Sequence, residues 1–496
     1  MSVDENIYID SLTVNTLTIS GSGTNYETLS TAGPISPNLK FSVLSSYNTA
    51  TPVTYTLAAP TVANDTKLIR LADADANAVV SMPRGSFKMN ADYPKAELYY
   101  LNGAWQPLDY DSLAIYPTSQ QGAKLIGTGA TGSATQGVVA LSADGNTLAV
   151  GGPADNSNAG AVWVFTRSGS TWTQQGSKLV GTGATGAAAQ GTAVALSADG
   201  NTLAVGGPAD NTNAGAVWVF TRTAGVWAQQ GSKIVGTGST GAAAQGGEVA
   251  LSGDGNTLAI GGATDNTNAG AVWVFTRSGS TWTQQGSKLV GTGSTGAAAQ
   301  GSAVALSSSG DALVVGGPAD NTNVGAAWAF ARVAGSWAQV GSILIGTGNS
   351  GASRQGYSVA IDAHGNYMAV GGYSDNTNAG AVWVYRKSLG VWAQVGSKLV
   401  GSGATGAAKQ GTSVALADNG KTLFVGGPAD NTNVGALWSY TRNSDGSFSQ
   451  NSLLLGTGET GAGLFGQNVA CGYLGATVAV GATNDNTNVG ATFVFV

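Results

Sequence analysis

The sequence is poor in the residues from which most enzymes build a site. Of 496 residues, one is a cysteine, Cys471, and one is a histidine, His364. A lone cysteine excludes any disulfide within the chain. Neither residue stands in a pattern that suggests a Ser-His-Asp set, a Cys-His set or a zinc cluster. His364 reads as a turn residue, and no catalytic residues are assigned. Charged residues make up only 10% of the chain, the net charge is −6, and no basic cluster occurs. That balance argues against partnership with nucleic acid or an anionic membrane. No apolar run approaches the roughly 18 residues of a spanning helix, so no membrane insertion is expected. The opening MSVDENIYID is acidic and lacks the apolar centre of a secretory signal, which predicts a protein made and kept inside the cell until assembly. Nor does any stretch carry a helical period of 3.6.

What the chain has in quantity is glycine, 76 residues, placed at regular intervals. The stretch LSADGNTLAVGGPADNSNAGAVWVFTR, from Leu141 to Arg167, recurs six more times. Its glycine step falls at Gly151, Gly206, Gly261, Gly316, Gly371, Gly426 and Gly481, each 55 residues after the last. Seven such copies account for 385 of the 496 residues and leave 111 in front. A period of this size marks a solenoid, an array or a propeller. Each copy reads as four short strands: VALS, TLAVGG, GAVWVFTR with strict alternation, and TWTQQGSKLVG. The x-Gly step between the first two, as at Asp144-Gly145, predicts a two-residue type I′ hairpin. Four antiparallel strands per repeat make a propeller blade, and closing the ring removes the exposed sheet edges. The last copy ends at Val496 without a fourth strand. QQGAKLIG, Gln120–Gly127, matches a fourth strand but has no blade of its own. Residues near 113–127 are therefore expected to supply the outer strand of the seventh blade. The fold class is all-β: a seven-bladed propeller over 112–496, preceded by a small β domain over 31–111 and an attachment segment with linker over 1–30. In the first segment, Ile7, Ile9, Leu12, Val14, Leu17 and Ile19 predict one or two strands. In the second, KFSVLSS, PVTYTLAA, TKLIRLA, NAVVSM and ELYYLNGAWQPL are the strand candidates.

The seven copies resemble FG-GAP repeats, the blade unit of integrin-α-type propellers. The match is clearest in the seventh, where Phe465-Gly466 precedes Gly481-Ala482; elsewhere the pair is Gln-Gly, as at Gln136. The resemblance implies seven blades. It does not carry the calcium loop of that family, because the tight SADGNT hairpin has too few carboxylates for the six to eight oxygens calcium takes. The front part, through SLTVNTLTISG, TYTLAAP…TKLIRL and LYYLNGAWQPL, resembles β modules that precede receptor-facing domains in phage and giant-virus virion proteins. That resemblance implies a virion structural or surface protein, capsid- or tail-associated, docked on other virion proteins through residues 1–111.

Two regular features are candidates for binding. Asp-Asn-x-Asn lies between the second and third strands of every copy: Asp155-Asn156-x-Asn158, then Asp210, Asp265, Asp320, Asp375, Asp430 and Asp485 with the same partners. One reading is structural, since Asp and Asn side chains close Asx-turns and tolerate left-handed backbone. The other is a ring of oxygen ligands for sugar hydroxyls or cations. With one Asp per loop, calcium would need carbonyls or a neighbouring blade, and no cofactor is otherwise expected. The second feature is tryptophan. Trp163, Trp218, Trp273, Trp328, Trp383 and Trp438, with Phe493 in the seventh copy, read as inter-blade core. Trp172, Trp227, Trp282, Trp337 and Trp392 lie on the outer strand and are candidates either for stacking on sugars or for rim packing. The lysines Lys124, Lys178, Lys233, Lys288 and Lys398, interrupted by Ile343 and Leu453, read as charges that blunt a sheet edge. Together these features predict a non-enzymatic recognition or attachment protein in an oligomeric assembly, binding host-surface glycan or protein. A cellular adhesin or lectin-like propeller at the cell surface, and a pure architectural scaffold, are the alternatives.

Overall fold

In a computed structural model, residues 117–496 are described throughout, together with the backbone of ten strands between Tyr26 and Tyr116. Those ten strands form two five-stranded sheets. One runs in the order Tyr26–Leu29, Phe41–Leu44, Thr66–Leu71, Lys95–Leu101, Ala104–Pro107. The other runs Ile115–Tyr116, Gly85–Met89, Ala78–Met82, Val53–Leu57, Gly33–Ile35. Pairing is parallel among the early strands and antiparallel among the later ones. Every strand expected between 38 and 107 is present. Leu101 pairs with Ala104 across Asn102-Gly103. Tyr26–Leu29, Gly33–Ile35 and Gly85–Met89 were not anticipated. The strands expected from Ile7 to Ile19 lie outside the described residues.

From Thr118 onward the chain builds seven antiparallel blades in a ring. The first blade shows the pattern: Val138–Leu141, Thr147–Gly152, Ala161–Ser168 and Thr171–Gln174 pair in that order. The second strand and the first five residues of the third are fully buried, whereas the fourth alternates exposed and half-buried residues. This follows from the architecture: inner strands pack on neighbouring blades through both faces, so they read as continuous apolar runs. Each core cluster accordingly joins two blades. Ala149, Val162 and Val164 of the first, for example, pack with Val205, Trp218 and Phe220 of the second.

The mid-strand tryptophans are the centre of this packing, with Trp163 and its five counterparts at 0% exposure. Trp163 lies between two glycines. A Cβ on Gly127 would stand 2.2 Å from the indole, and one on Gly152 would stand 2.7 Å from it. No side chain fits at either position. The Trp163 Nε1–H donates to the Thr128 carbonyl (2.7 Å). The glutamine of each Gln-Gly pair completes the seat. Gln136 is fully buried, accepts from the Gly127 amide at 2.6 Å and donates to its carbonyl at 3.0 Å. A backbone unit that faces an indole and has no strand partner is thereby satisfied on both sides. In the seventh blade Phe465 takes the glutamine's place and packs edge-on against Phe493.

The ring is closed twice. At the outer edge, the N-proximal segment completes the seventh blade. Gln121 N–H donates to Val494 O (2.7 Å), Leu125 N–H to Thr492 O (2.7 Å), and Val496 N–H to Ser119 O (3.0 Å). Near the axis, the first hairpins hold hands. Ala143 N–H donates to Ala198 O, Ala198 to Gly253, Gly253 to Ser308, Ser308 to Ala363, Ala363 to Asp418, Asp418 to Tyr473, and Tyr473 back to Ala143, all at 2.8–3.1 Å. These hairpins are not type I′. Only the glycine has positive φ (Gly145, 65°), and its N–H closes on Ser142 O at 2.9 Å. Asp144 caps the turn by accepting from the Asn146 amide and the Ser142 hydroxyl. The extra residues put the second loop position over the axis, where it reaches the next blade.

Candidate functional site

The Asp-Asn-x-Asn segments form the most unusual backbone among the described residues. Asn156, Ser157 and Asn158 all have positive φ (49°, 57°, 66°), and the same three positions do so in every blade. Three successive left-handed residues make a single left-handed helical turn. Each such residue costs about 1–2 kcal/mol for an L-amino acid. Asparagine tolerates the region best. The middle position, Ser157 in the first blade, is threonine in the other six, and a β-branched residue there is an outlier. The threonine hydroxyl eases it locally by donating to the preceding carbonyl, as Thr212 does to Asn211 O at 2.7 Å.

The aspartate holds the turn from below. Asp155 is 1% exposed. One carboxylate oxygen accepts from the Thr131 amide at 2.7 Å, and the other faces Lys178 Nζ at 2.5 Å. Lys233 with Asp210 and Lys124 with Asp485 repeat this at 2.5 Å, and Lys288–Asp265 and Lys398–Asp375 are paired likewise. The recurring lysines are therefore ion-pair partners of the buried aspartates; they do not guard an edge. The Lys124 pair joins the closing strand to the seventh blade. Where the fourth strand carries Ile343 or Leu453, Asp320 and Asp430 have no lysine. Burial then pushes the Asp320 carboxyl above its ordinary value, against the amides of Thr295 and Asn321 that hold it down.

The seven aspartates thus lie beneath the surface, and the asparagines and the Ser/Thr between them form the surface. Asn156, Ser157 and Asn158 are all exposed. The arrangement does not fit a calcium ion, since each carboxylate is engaged by a backbone amide and, in five blades, by an ammonium. Among the described residues, no group of three or more His, Cys, Asp or Glu is placed to hold a metal. The linkers emerge on the same face and are tied to the turns. Asn156 N–H donates to Thr131 O, and Ala189 N–H in the next linker donates to Asn158 O. Sequence reasoning missed one element of this face. Ile126, Val180, Val235, Val290, Ile345, Val400 and Leu455 are 36–53% exposed and follow the fourth strand in every blade. Their recurrence just after the lysine position was the signal that could have found them.

The outer tryptophans belong to the other end of the blades, beside the third-to-fourth turn, so the two candidate sets do not meet. Trp172 is half-buried opposite Arg167, whose guanidinium carbon lies 5.2 Å from the ring centroid. Its Nε1–H donates to Gln121 Oε1 at 3.1 Å. Trp227, Trp282 and Trp337 repeat both contacts. Trp392 lies under Lys387. Each of these rings has one face covered by a cation.

No protein-family model matches the chain, so the likeness to FG-GAP repeats rests on Phe465-Gly466 and Gly481-Ala482. No curated protein matches it either. Among solved structures, it is similar to the crystal structure of a protein from Lactobacillus plantarum. The two are 15% identical with a TM-score of 0.47, over 68% of this chain and 89% of that one.

Proposed function

We propose that this chain is a non-catalytic recognition protein whose propeller presents a sevenfold ring of left-handed Asn-Ser/Thr-Asn turns to a glycosylated or protein surface. The front part would attach it to a larger assembly, as in a virion surface or tail component. One observation carries the reading: fourteen asparagines and seven hydroxyl residues are held on one face by backbone that is costly to keep. Strained conformations persist where the surroundings over-determine them, and they concentrate at ligand sites. Here the over-determination is visible in the buried aspartate, its lysine and the linker amide. Side-chain amides and hydroxyls suit sugar hydroxyls, since each both donates and accepts. Single contacts of this kind are weak. Seven equivalent ones on a rigid ring gain by effective concentration, provided the target is itself multivalent.

A glycan array tests the proposal. The native chain should bind a subset of immobilised glycans. Asn→Gly changes at the first turn position of several blades, Asn156, Asn211 and Asn266, which remove the side chain and keep the left-handed backbone without strain, should reduce binding progressively and leave the unfolding midpoint near its native value. Absence of binding to any glycan or to host-surface protein, with the Asn-turn face buried against other subunits of its assembly, would favour the scaffold alternative.

A further inference from the structure

The sevenfold pattern fails most sharply between the fifth and sixth blades, on the face opposite the Asn turns. A cleft of about 480 Å³ opens there, lined among others by Asp362, His364, Tyr367, Arg386, Lys387 and Arg442. Its departures from the repeat include His364, Tyr367, Arg386 and Asp362, the last standing where Ser142, Ser197, Ser252 and Ser307 stand in the first four copies. In the first blade the registers of Tyr367 and Arg386 are held by Thr147 and Thr166, which face each other as Tyr367 and Arg386 do. His364 stands where Asp144, Asp199 and Asp254 stand in the first three copies.

These exchanges change the charge of the junction. Between the first and second blades, the same registers hold Asp144 and Asp199 against Arg167 and Arg222, which balance. Between the fifth and sixth, Asp362 and the adjacent Asp418, which interacts with both Asp362 and His364, stand against Arg386, Lys387 and Arg442. Asp362 is 3% exposed, and its Oδ1 accepts the Asn366 and Tyr367 amides of its own turn. The Arg442 guanidinium lies over the Tyr367 ring, 4.2 Å from its centroid, and Arg386 lies 5.8 Å from the same centroid. One tyrosine thus carries two guanidinium groups at the wall of the cleft. Arg386 is exposed, and neither it nor Lys387 has a carboxylate partner among the described residues.

We propose that this cleft binds a single oxyanion, the carboxylate or sulfate of an otherwise neutral saccharide. Arg386 is the principal contact, and Lys387 and Arg442 set the local field. Guanidinium groups match planar and tetrahedral oxyanions by paired hydrogen bonds. A long polyanion fits poorly, because the chain carries a net charge of −6. The exposed Leu389 at the rim offers an apolar edge for the uncharged part of the ligand. The saccharide half of the assignment rests on the recognition role proposed above; the oxyanion half does not.

Calorimetric titration of the full chain with sialyllactose, galactose 6-sulfate, lactose and inorganic sulfate tests it. At least one of the two acidic sugars should bind and lactose should not. Arg386→Thr, which restores the residue of the first blade on an exposed strand position, should weaken binding about tenfold to a hundredfold, with the thermal midpoint unchanged and Arg386→Lys recovering part of the loss. Asn211→Gly, on the other face, should have no effect. Sulfate binding as tightly as the sugars would overturn the saccharide assignment. Binding unaffected by Arg386→Thr, or no binding by either acidic sugar, would overturn the site itself. Loss of glycan-array binding in the asparagine variants with cleft binding intact would separate the two proposals.

Discussion

Removing the aspartate beneath an Asn turn should cost far more than removing its lysine. Consider Asp155 and Lys178. In Asp155→Ala the Thr131 amide loses its acceptor in a part-buried place. The left-handed turn loses its anchor, and Lys178 loses its counter-ion. An unsatisfied buried donor costs about 1–3 kcal/mol, and breaking a buried pair costs about 3–5 kcal/mol. The lysine side chain is 21% exposed and reaches water once released, which lowers the second figure. A net loss of about 3 kcal/mol is expected. Lys178→Leu leaves the carboxylate still held by backbone amides, in the state that Asp430 already occupies beside Leu453. It should cost about 1 kcal/mol. Urea unfolding at neutral pH reads both, as shifts in midpoint at constant slope. The double variant gives the pair's coupling. A lysine variant as damaging as the aspartate variant would refute the reasoning. The fourth blade supplies a check of opposite sign. Ile343→Lys gives Asp320 a partner and should stabilise the protein above pH 4. The Asp320 carboxyl is raised in the folded state, so its contribution is full below the unfolded value and is lost as pH rises through the folded one. The new lysine should remove that loss.

Three half-buried carboxyls set a wider pH dependence. Glu248, Glu459 and Asp418 are pushed up to about 8, 7 and 6, chiefly by desolvation. Stability should therefore be greatest near pH 4–5 and fall through pH 6–8, and Glu248→Gln should flatten the upper part of that fall; a stability curve rising over this window would contradict the burial seen here. Trp218→Ala should cost about 3–5 kcal/mol as a large-to-small core change. Gly181→Ala should be comparably damaging, since its Cβ would stand 2.2 Å from the same indole; denaturant midpoints decide both. Deleting residues 112–127 should lower the thermal midpoint, because it unpairs Thr492, Val494 and Val496 and strips Asp485 of Lys124. An unchanged midpoint would mean that the hydrogen-bonded belt from Ala143 to Tyr473 closes the ring unaided.

The blades were legible because a 55-residue period and the orphan QQGAKLIG follow from backbone pairing, which local sequence records; the strict alternation expected of GAVWVFTR is absent, since Ala161–Phe165 are all buried between neighbouring blades. The partners of buried charges were less legible. Lys178 reads as an edge residue because nothing in a single strand says that its side chain reaches back 23 positions to a turn in the same blade. The period did contain the clue, since lysine and aspartate recur in fixed register. The hairpin type was misjudged for a related reason. Asp-Gly favours type I′ in an isolated ribbon, but here the loop amide is needed to reach the next blade, and tertiary hydrogen bonding outweighs the local preference. The outer tryptophans looked available because the sequence shows exposure of a strand, not the arginine that the cross-strand partner lays over the ring.

A repeat protein of this kind separates what folds it from what individualises it. The glycines under the indoles, the glutamine clamps and the aspartate anchors recur because every wedge needs them, and a change in one must be answered in the same wedge, as Phe465 with Phe493 answers Gln with Trp. The residues at His364, Tyr367 and Arg386 differ in another way. None is needed to close a turn or fill the core in that form, because threonine and aspartate serve the same registers in other blades. His364 and Asn419 for aspartate and Arg386 for threonine make the junction more cationic, and Asp362 for serine and Asp418 for alanine give back only part of that change. Exchanges that only repaired a wedge would leave the junction neutral, as the first two blades do. A surplus of cation gathered at one junction of an acidic ring is what selection for a ligand would leave, and the Arg386→Thr titration distinguishes that origin from drift.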